Sequence, residues 1–122
     1  MTGKKTLGDW GEDCAARYLQ LHGYRIVERN FRCRQGEIDL IARRGGVIAF
    51  VEVKLRKNAD HGQAREFVTF AKQRRVISAA ELWLVRNGCE LQPRFDVIEV
   101  YAPQGTDTRR PLLRHLENAY TY

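Results

Sequence analysis

Gly36-Glu37-Ile38-Asp39-Leu40-Ile41-Ala42-Arg43-Arg44-Gly45-Gly46-Val47-Ile48-Ala49-Phe50-Val51-Glu52-Val53-Lys54 is the stretch whose reading decides the fold. Two runs rich in Ile, Val and Phe flank a glycine pair, the pattern of a β-hairpin whose turn needs cheap positive φ. Side chains two apart on a strand share a face, so Glu37 goes with Asp39 and Glu52 with Lys54. A two-residue Gly45-Gly46 loop sets Arg44 opposite Val47, Asp39 opposite Glu52 and Glu37 opposite Lys54. A four-residue loop from Arg43 to Gly46 keeps that parity and sets Glu37 opposite Glu52. A three-residue loop puts the pairs on opposite faces unless a bulge restores them. Under either even loop three carboxylates and one ammonium crowd one patch of sheet, and like charges across a ladder destabilise it. A divalent cation relieves that cost, because Mg²⁺ takes hard oxygen ligands from one or two carboxylates and substrate phosphates. The bland alternative is a solvated outer face, with Glu37 and Lys54 as an ordinary cross-strand pair. Strand faces this rich in Ile, Val and Phe point instead to a sheet covered on both sides, which favours a metal site.

The whole chain sets the bounds. Its 122 residues suit a single domain, 1–122, long enough to bury a core without staples. A hydrophobic fraction of 43% with 30% charged residues excludes a disordered chain. The net charge of +6 favours a polyanionic partner, nucleic acid or a membrane surface, although charge also simply keeps proteins soluble. Cys14, Cys33 and Cys89 are widely spaced, which predicts a reducing, cytoplasmic location and no zinc site. No apolar run follows the charged N-terminus or approaches the ~20 residues that span a bilayer, so neither a signal peptide nor a membrane partner is expected.

Leu7, Trp10, Cys14, Tyr18 and Leu21 recur at helical spacing and predict a first helix from Leu7 to His22, with Thr6 or Asp9 capping it and Gly23 ending it. Glu12 has two readings: the far end of an Asp9-x-x-Glu12 capping box, or a further carboxylate for the hairpin site. Spacing alone favours the cap. Tyr24 to Phe31 alternates loosely and predicts a strand; Arg32-Cys33-Arg34-Gln35 is a basic turn. Leu55 to Gln63 is polar and predicts a mobile loop beside the site. A second helix is expected from Phe70 to Arg86, capped by Thr69, stopped near Gly88 and buried through Val76, Ile77, Ala80, Trp83 and Leu84. Lys72, Gln73, Arg74 and Arg75 in its first turns either face phosphates or are solvated. Arg94 to Tyr101 predicts another strand, 103–108 a loop, and Leu112 to Ala119 a short terminal helix. The order is α-β-β-β-α-β, an α/β class with one mixed sheet flanked by helices. His22, His61 and His115 are scattered without ligand spacing, and neither a P-loop nor a dinucleotide fingerprint is present.

Further residues carry a resemblance. Gly11-Glu12-Asp13, Ala15-Ala16-Arg17-Tyr18-Leu19, Gly23-Tyr24-Arg25-Ile26, Asn30-Phe31-Arg32, Gly36-Glu37-Ile38-Asp39-Leu40-Ile41, Phe50-Val51-Glu52-Val53-Lys54, Lys72-Gln73, Arg94-Phe95-Asp96-Val97 and the closing His115 to Tyr120 together resemble the YraN family, formerly uncharacterised protein family UPF0102. That family is similar in turn to the restriction-endonuclease-like superfamily, near the archaeal Holliday-junction resolvases. The resemblance implies a DNA nuclease with Asp39 and Glu52 as ligands of Mg²⁺ or Mn²⁺, and Lys54 orienting water and stabilising charge. It also lifts Glu12 above the capping reading into a catalytic role and leaves Glu37 behind the ligands. Gly36-Glu37-Ile38-Asp39 stands where many relatives carry Pro-Asp, as the resolvase-like branch does. Such nucleases often work as homodimers, which no heptad or patch here derives. Arg32, Arg34, Arg43, Arg56, Lys57, Lys72 and Gln73 are the candidates for nucleic-acid contacts. The competing readings are a nucleic-acid-binding module that keeps the fold without cutting, and an interaction domain whose basicity serves solubility alone.

Overall fold

The computed structural model describes residues 5–57 and 68–122. Its elements run α1 (Leu7–Leu21), β1 (Arg25–Cys33), β2 (Gly36–Arg44), β3 (Val47–Arg56), α2 (Phe70–Asn87), β4 (Gln92–Tyr101) and β5 (Leu112–Tyr120), with a 3-10 turn at Gly105–Asp107. One mixed sheet carries all five strands in chain order. β3 and β4 are parallel, joined through α2, and the other pairs are antiparallel. The expected α/β class and α-β-β-β-α-β core are therefore present, with one strand added.

That added strand corrects the helix expected over Leu112 to Ala119. β4 is buried along most of its length, and its outer edge leaves backbone groups that need partners. Pairing with β4 satisfies them and turns Leu113 and His115 toward α1, which overrides the helical propensity of the Leu-Glu-Asn-Ala run. The expected loop of 55–63 begins later than its composition suggests, since Leu55 and Arg56 still pair with β4. Its residues 58–63, His61 among them, lie outside the described residues.

The two helices cover opposite faces. α2 seals a core of Ile38, Ile41, Ile48, Phe50 and Phe95 with Val76, Ile77, Ala80 and Trp83. Thr69 caps it and Gly88, at φ 57°, ends it, as expected from the sequence. Beneath α2 the rings of Phe50, Phe95 and Tyr120 stack across β3, β4 and β5 with centroids 5.7 and 5.3 Å apart. α1 covers Leu40, Ala42, Val51, Ile98 and Val100. Its inner face is Gly11, Ala15, Ala16 and Leu19, about one position round from the stripe expected from the bulky residues; Leu7 and Leu21 are exposed. Small residues win that face because they let the helix sit low. A Cβ on Gly11 would stand 2.9 Å from Leu55 Cδ2.

The central hairpin turns as a two-residue loop, with Arg44 opposite Val47 and Gly45 at φ 58°. Pairing between β2 and β3 then runs only as far as Leu40 and Val51. Beyond that point β2 stays with β1 and β3 stays with β4, so the sheet forks.

Candidate functional site

Asp39 and Glu52 are the first residues past the end of the β2–β3 ladder. Ile38 and Ile41 line the α2-side core, whereas Leu40 and Ala42 line the α1 side, so the pleat of β2 slips at Asp39. The neighbouring strand slips with it: Asn30, between the pairs Arg29–Leu40 and Phe31–Ile38, has φ 54°, a conformation Asn tolerates. Asp39 Oδ2 accepts a 2.8 Å hydrogen bond from the backbone N–H of Val53, so a side chain replaces the missing ladder bond. Asp39 is thereby held at the vertex of the fork.

Two further carboxyl groups, Glu52 and Glu12, are each coupled electrostatically to Asp39. Burial raises the carboxyl of Asp39 above its ordinary value, partly opposed by the Val53 hydrogen bond and by Lys72. Burial also raises Glu52, and the charge of Asp39 raises it further. Glu12 comes from α1 and is raised first by burial, then by Asp39. The capping reading of Glu12 fails: Thr6 is the N-cap, its hydroxyl accepting from the N–H of Asp9 at 3.0 Å, and Glu12 lies a turn further on. Oε1 of Glu12 is buried without a hydrogen-bond partner among the described residues, with Arg29 Nη2 3.8 Å away. Desolvated carboxylates next to one another are held at a cost that a cation offsets.

Lys72 Nζ lies 3.5 Å from Glu52 Oε2 and supplies part of that compensation. Lys54 makes no ion pair or hydrogen bond among the described residues, yet its charge lowers both Asp39 and Glu52. It follows Glu52 on the β3 face that carries Ile48 and Phe50. Glu37 is not opposite Lys54, because the strands have already parted; it pairs instead with Arg32 Nε at 3.6 Å. Its charge still contributes to raising Asp39.

The basic residues expected to hold nucleic acid divide. Arg32 is exposed on the β1 arm of the fork, Arg34 on the adjoining turn, and Lys57 just past β3. Arg43 lies toward the hairpin tip, four residues or about 13 Å along β2 from Asp39. Arg56 is committed inward, donating from Nε and Nη2 to the buried Glu99 Oε2 at 3.3 and 3.2 Å. Gln73 donates to the carbonyl of Val68 at 3.0 Å.

A divalent cation fits the fork by donor chemistry: hard oxygens, two of them on raised carboxyls, and the orphaned Oε1 of Glu12 close by. Among the described residues no group of three or more His, Cys, Asp or Glu side chains is placed to hold a metal ion by itself, so any cation here would rest on Asp39 and Glu52 with ligands from outside the chain.

A second polar cluster escaped sequence reading. Asp96, fully buried, accepts from Arg94 Nε at 2.9 Å and Nη2 at 2.7 Å and from the N–H of Asn118 at 3.0 Å; His115 Nε2 lies 2.8 Å away. Arg94 also donates to Tyr24 Oη, and Tyr18 Oη lies 3.2 Å from His115 Nδ1. Burial pushes the Asp96 carboxyl up, but His115, Arg94 and Asn118 outweigh it and hold it below the usual aspartate range. Arg94, with Asp96 as its main partner, is held above its ordinary value. The Arg94-x-Asp96 spacing in a strand of mostly apolar residues was the available signal, since two charges on one face of a buried strand must pair.

Fold and site together define an α/β domain built on a forked mixed sheet, with acidic side chains gathered at the fork. The chain belongs to uncharacterised protein family UPF0102, whose model matches residues 11–100. It is 49% identical over 118 residues to a UPF0102 protein of Symbiobacterium thermophilum, covering 95% of this chain and 97% of that one. A UPF0102 protein of Geobacter sulfurreducens is 45% identical, covering 95% and 89%, and one of Caldanaerobacter subterraneus subsp. tengcongensis 44%, covering 96% of each. Among the described residues no helix is long and apolar enough to cross a membrane.

Proposed function

We propose that this protein is a metal-dependent nuclease that hydrolyses phosphodiester bonds of DNA. The observation that carries the reading is that Asp39 and Glu52 both leave the β2–β3 ladder where it ends, both carboxyls raised, with Glu12 coupled to Asp39 and its buried Oε1 held by no hydrogen bond among the described residues. Buried carboxylate oxygens normally accept hydrogen bonds; one held only by a 3.8 Å ion pair to Arg29 supports a further cation at the fork.

Asp39 and Glu52 would hold Mg²⁺ or Mn²⁺. The cation, when bound, supplies polarisation of a phosphoryl oxygen and a lowered pKa for its water. The chain's own groups do the rest. Lys54 meets the negative charge that accumulates on the phosphoryl oxygens, and among the described residues no ion pair or hydrogen bond engages it. Glu12 accepts a hydrogen bond from the attacking water and orients it. The water oxygen forms a new bond to phosphorus, the bond to the leaving ester oxygen breaks, and the water proton ends on that oxygen. The net charge of +6 and the exposed Arg32, Arg34 and Lys57 favour a polyanion held through its backbone.

The test incubates labelled duplex, flap and four-way-junction DNA with wild type and Asp39→Asn, in Mn²⁺ and in EDTA. The expected outcome is cleavage by wild type in Mn²⁺ alone, with a loss in Asp39→Asn of at least about a hundredfold. Salt-sensitive binding with no cleavage of any substrate would replace the nuclease by a binding module. Cleavage that survives Asp39→Asn would overturn the site.

A further inference from the structure

A cleft of about 400 Å³ opens beside the fork, lined by Arg32, Cys33, Gly36, Glu37, Lys72 and Arg75 together with Val76. We infer that it is a phosphate subsite, in which Arg75, with Arg32 and Lys72, holds a phosphate group of the nucleic-acid strand next to the one attacked. The inference rests on the nuclease reading and deepens it.

Three observations carry it. The first is charge: three cations from two separate elements face one small cleft, with Glu37 the only carboxylate among its lining residues. Arg75 has no ion pair or hydrogen bond among the described residues. Arg32 is tied only by the exposed 3.6 Å contact to Glu37, a pair of small worth that an incoming phosphate displaces at little cost. The second is construction. α2 approaches the start of β2 so closely that a Cβ on Gly36 would lie 3.2 Å from both Cβ and the carbonyl oxygen of Arg75. Glycine at this position is what brings the Arg75 turn against the strand and forms the cleft wall. The third is continuity. Lys72 lines the cleft and also pairs with Glu52, and Glu37 lies two residues from Asp39 on the same strand. Successive phosphates of a strand advance by about 3.4 Å along the helix axis, so a strand lying at the fork presents its neighbouring phosphates to the cleft. Guanidinium is suited to that contact by its planar fork of donors.

The test is binding, read without cleavage. Fluorescent oligonucleotides with and without a 5′-phosphate are titrated with the protein in EDTA and followed by anisotropy. Arg75→Ala is expected to weaken binding about five- to tenfold and to lower the slope of log K against log salt by about one. Arg75→Lys restores part of the slope and little of the affinity. Arg86→Ala, in the last turn of the same helix, changes either quantity less than about twofold. Cys33 provides a second readout: oligonucleotide or inorganic phosphate slows its alkylation in wild type and not in Arg75→Ala, with thermal melting checking that each variant is folded. Tighter binding of the 5′-phosphorylated strand identifies a terminal phosphate as the occupant; equal binding identifies a backbone diester. Unchanged affinity, slope and Cys33 protection in folded Arg75→Ala would overturn the subsite. Wild type that binds through Arg75 but never cleaves would overturn the nuclease reading and leave the subsite standing.

Discussion

Asp96→Ala tests whether the second polar cluster is structural. The substitution removes the acceptor of two Arg94 bonds and one Asn118 bond and the partner of His115, all within 3.0 Å, and leaves the half-buried Arg94 guanidinium with only the exposed Glu117, 3.8 Å away, as a counter-ion. Removing one member of a buried ion pair costs about 3–5 kcal/mol. For 122 residues the unfolding entropy is about 0.26 kcal/mol/K, so Tm should fall by about 12–20 °C. The pH dependence has a definite sign. Asp96 is held below its ordinary value, so its stabilisation is present above about pH 3.9, the unfolded value, and lost as pH falls through the folded one. The gap between wild type and variant in thermal circular dichroism should therefore be full at neutral pH and close in acid. A fall of less than about 4 °C at pH 7, near 1 kcal/mol, would refute the reasoning, because the network would then be worth no more than a surface pair.

Other consequences are equally open to measurement. Tyr120 Oη is buried without a partner among the described residues, so Tyr120→Phe should stabilise by about 1 kcal/mol in urea unfolding; a loss of stability would reveal a partner for that hydroxyl. Asp39, Glu52 and Glu12 are all raised, so their contribution is fully present below their ordinary values and lost as pH rises through the raised ones. In EDTA at pH 7, Asp39→Asn keeps an acceptor for the Val53 N–H while relieving the like-charge coupling to Glu52, Glu12 and Glu37. It should gain about 1 kcal/mol, or about 4 °C, and a lower Tm would remove the crowding argument. Mg²⁺ should reverse the order, stabilising wild type by about 2.7 kcal/mol at a hundredfold excess over Kd and leaving Asp39→Asn unmoved. Gly36→Ala should cost about 1–3 kcal/mol by pushing at the backbone of Arg75, and an unchanged urea midpoint would show that α2 yields freely.

The hairpin was legible because each element of its pattern had one cheap structural solution: alternating apolar runs, a glycine pair, and a register locked by which side chains must be buried. Of the loop lengths left open, the two-residue one is realised, with Arg44 against Val47. Each of them supposes an unbroken ladder, however, so the partners they give Glu37, Lys54 or Glu52, are both absent. The interruption is written in Asn30 and Asp39, side chains able to replace or bend backbone pairing, and no periodicity count registers that. On α1 the expected Trp10, Cys14 and Tyr18 do pack against the core from its flank, but the fully buried centre is Gly11, Ala15, Ala16 and Leu19, because close packing on a sheet favours small residues that bulk-weighted periodicity passes over. β5 was hidden for a different reason: its conformation is set by the unpaired edge of β4, a partner its own residues do not reveal. Arg75 stays open between a phosphate contact and a solvated cation in the sequence, because the glycine that lets its turn approach the strand, Gly36, is distant along the chain.

The fork explains why the acidic residues are where they are. In an intact antiparallel ladder, Asp39 and Glu52 would face each other at the spacing that most disfavours like charges. Ending the ladder one residue earlier lets the strands part, and a side-chain oxygen takes the Val53 N–H that the missing strand bond would have left unpaired. The backbone is then satisfied while the carboxyls are not, so the unfavourable energy is confined to groups that a ligand can reach. Lys72 offsets part of it from α2 and Arg29 part of it from β1, and neither reaches within 3.4 Å of the carboxylate it serves. On the proposed reading, a site compensated this loosely by its own side chains would accept a stronger cation, and Lys72 would then be released from Glu52 to face phosphate.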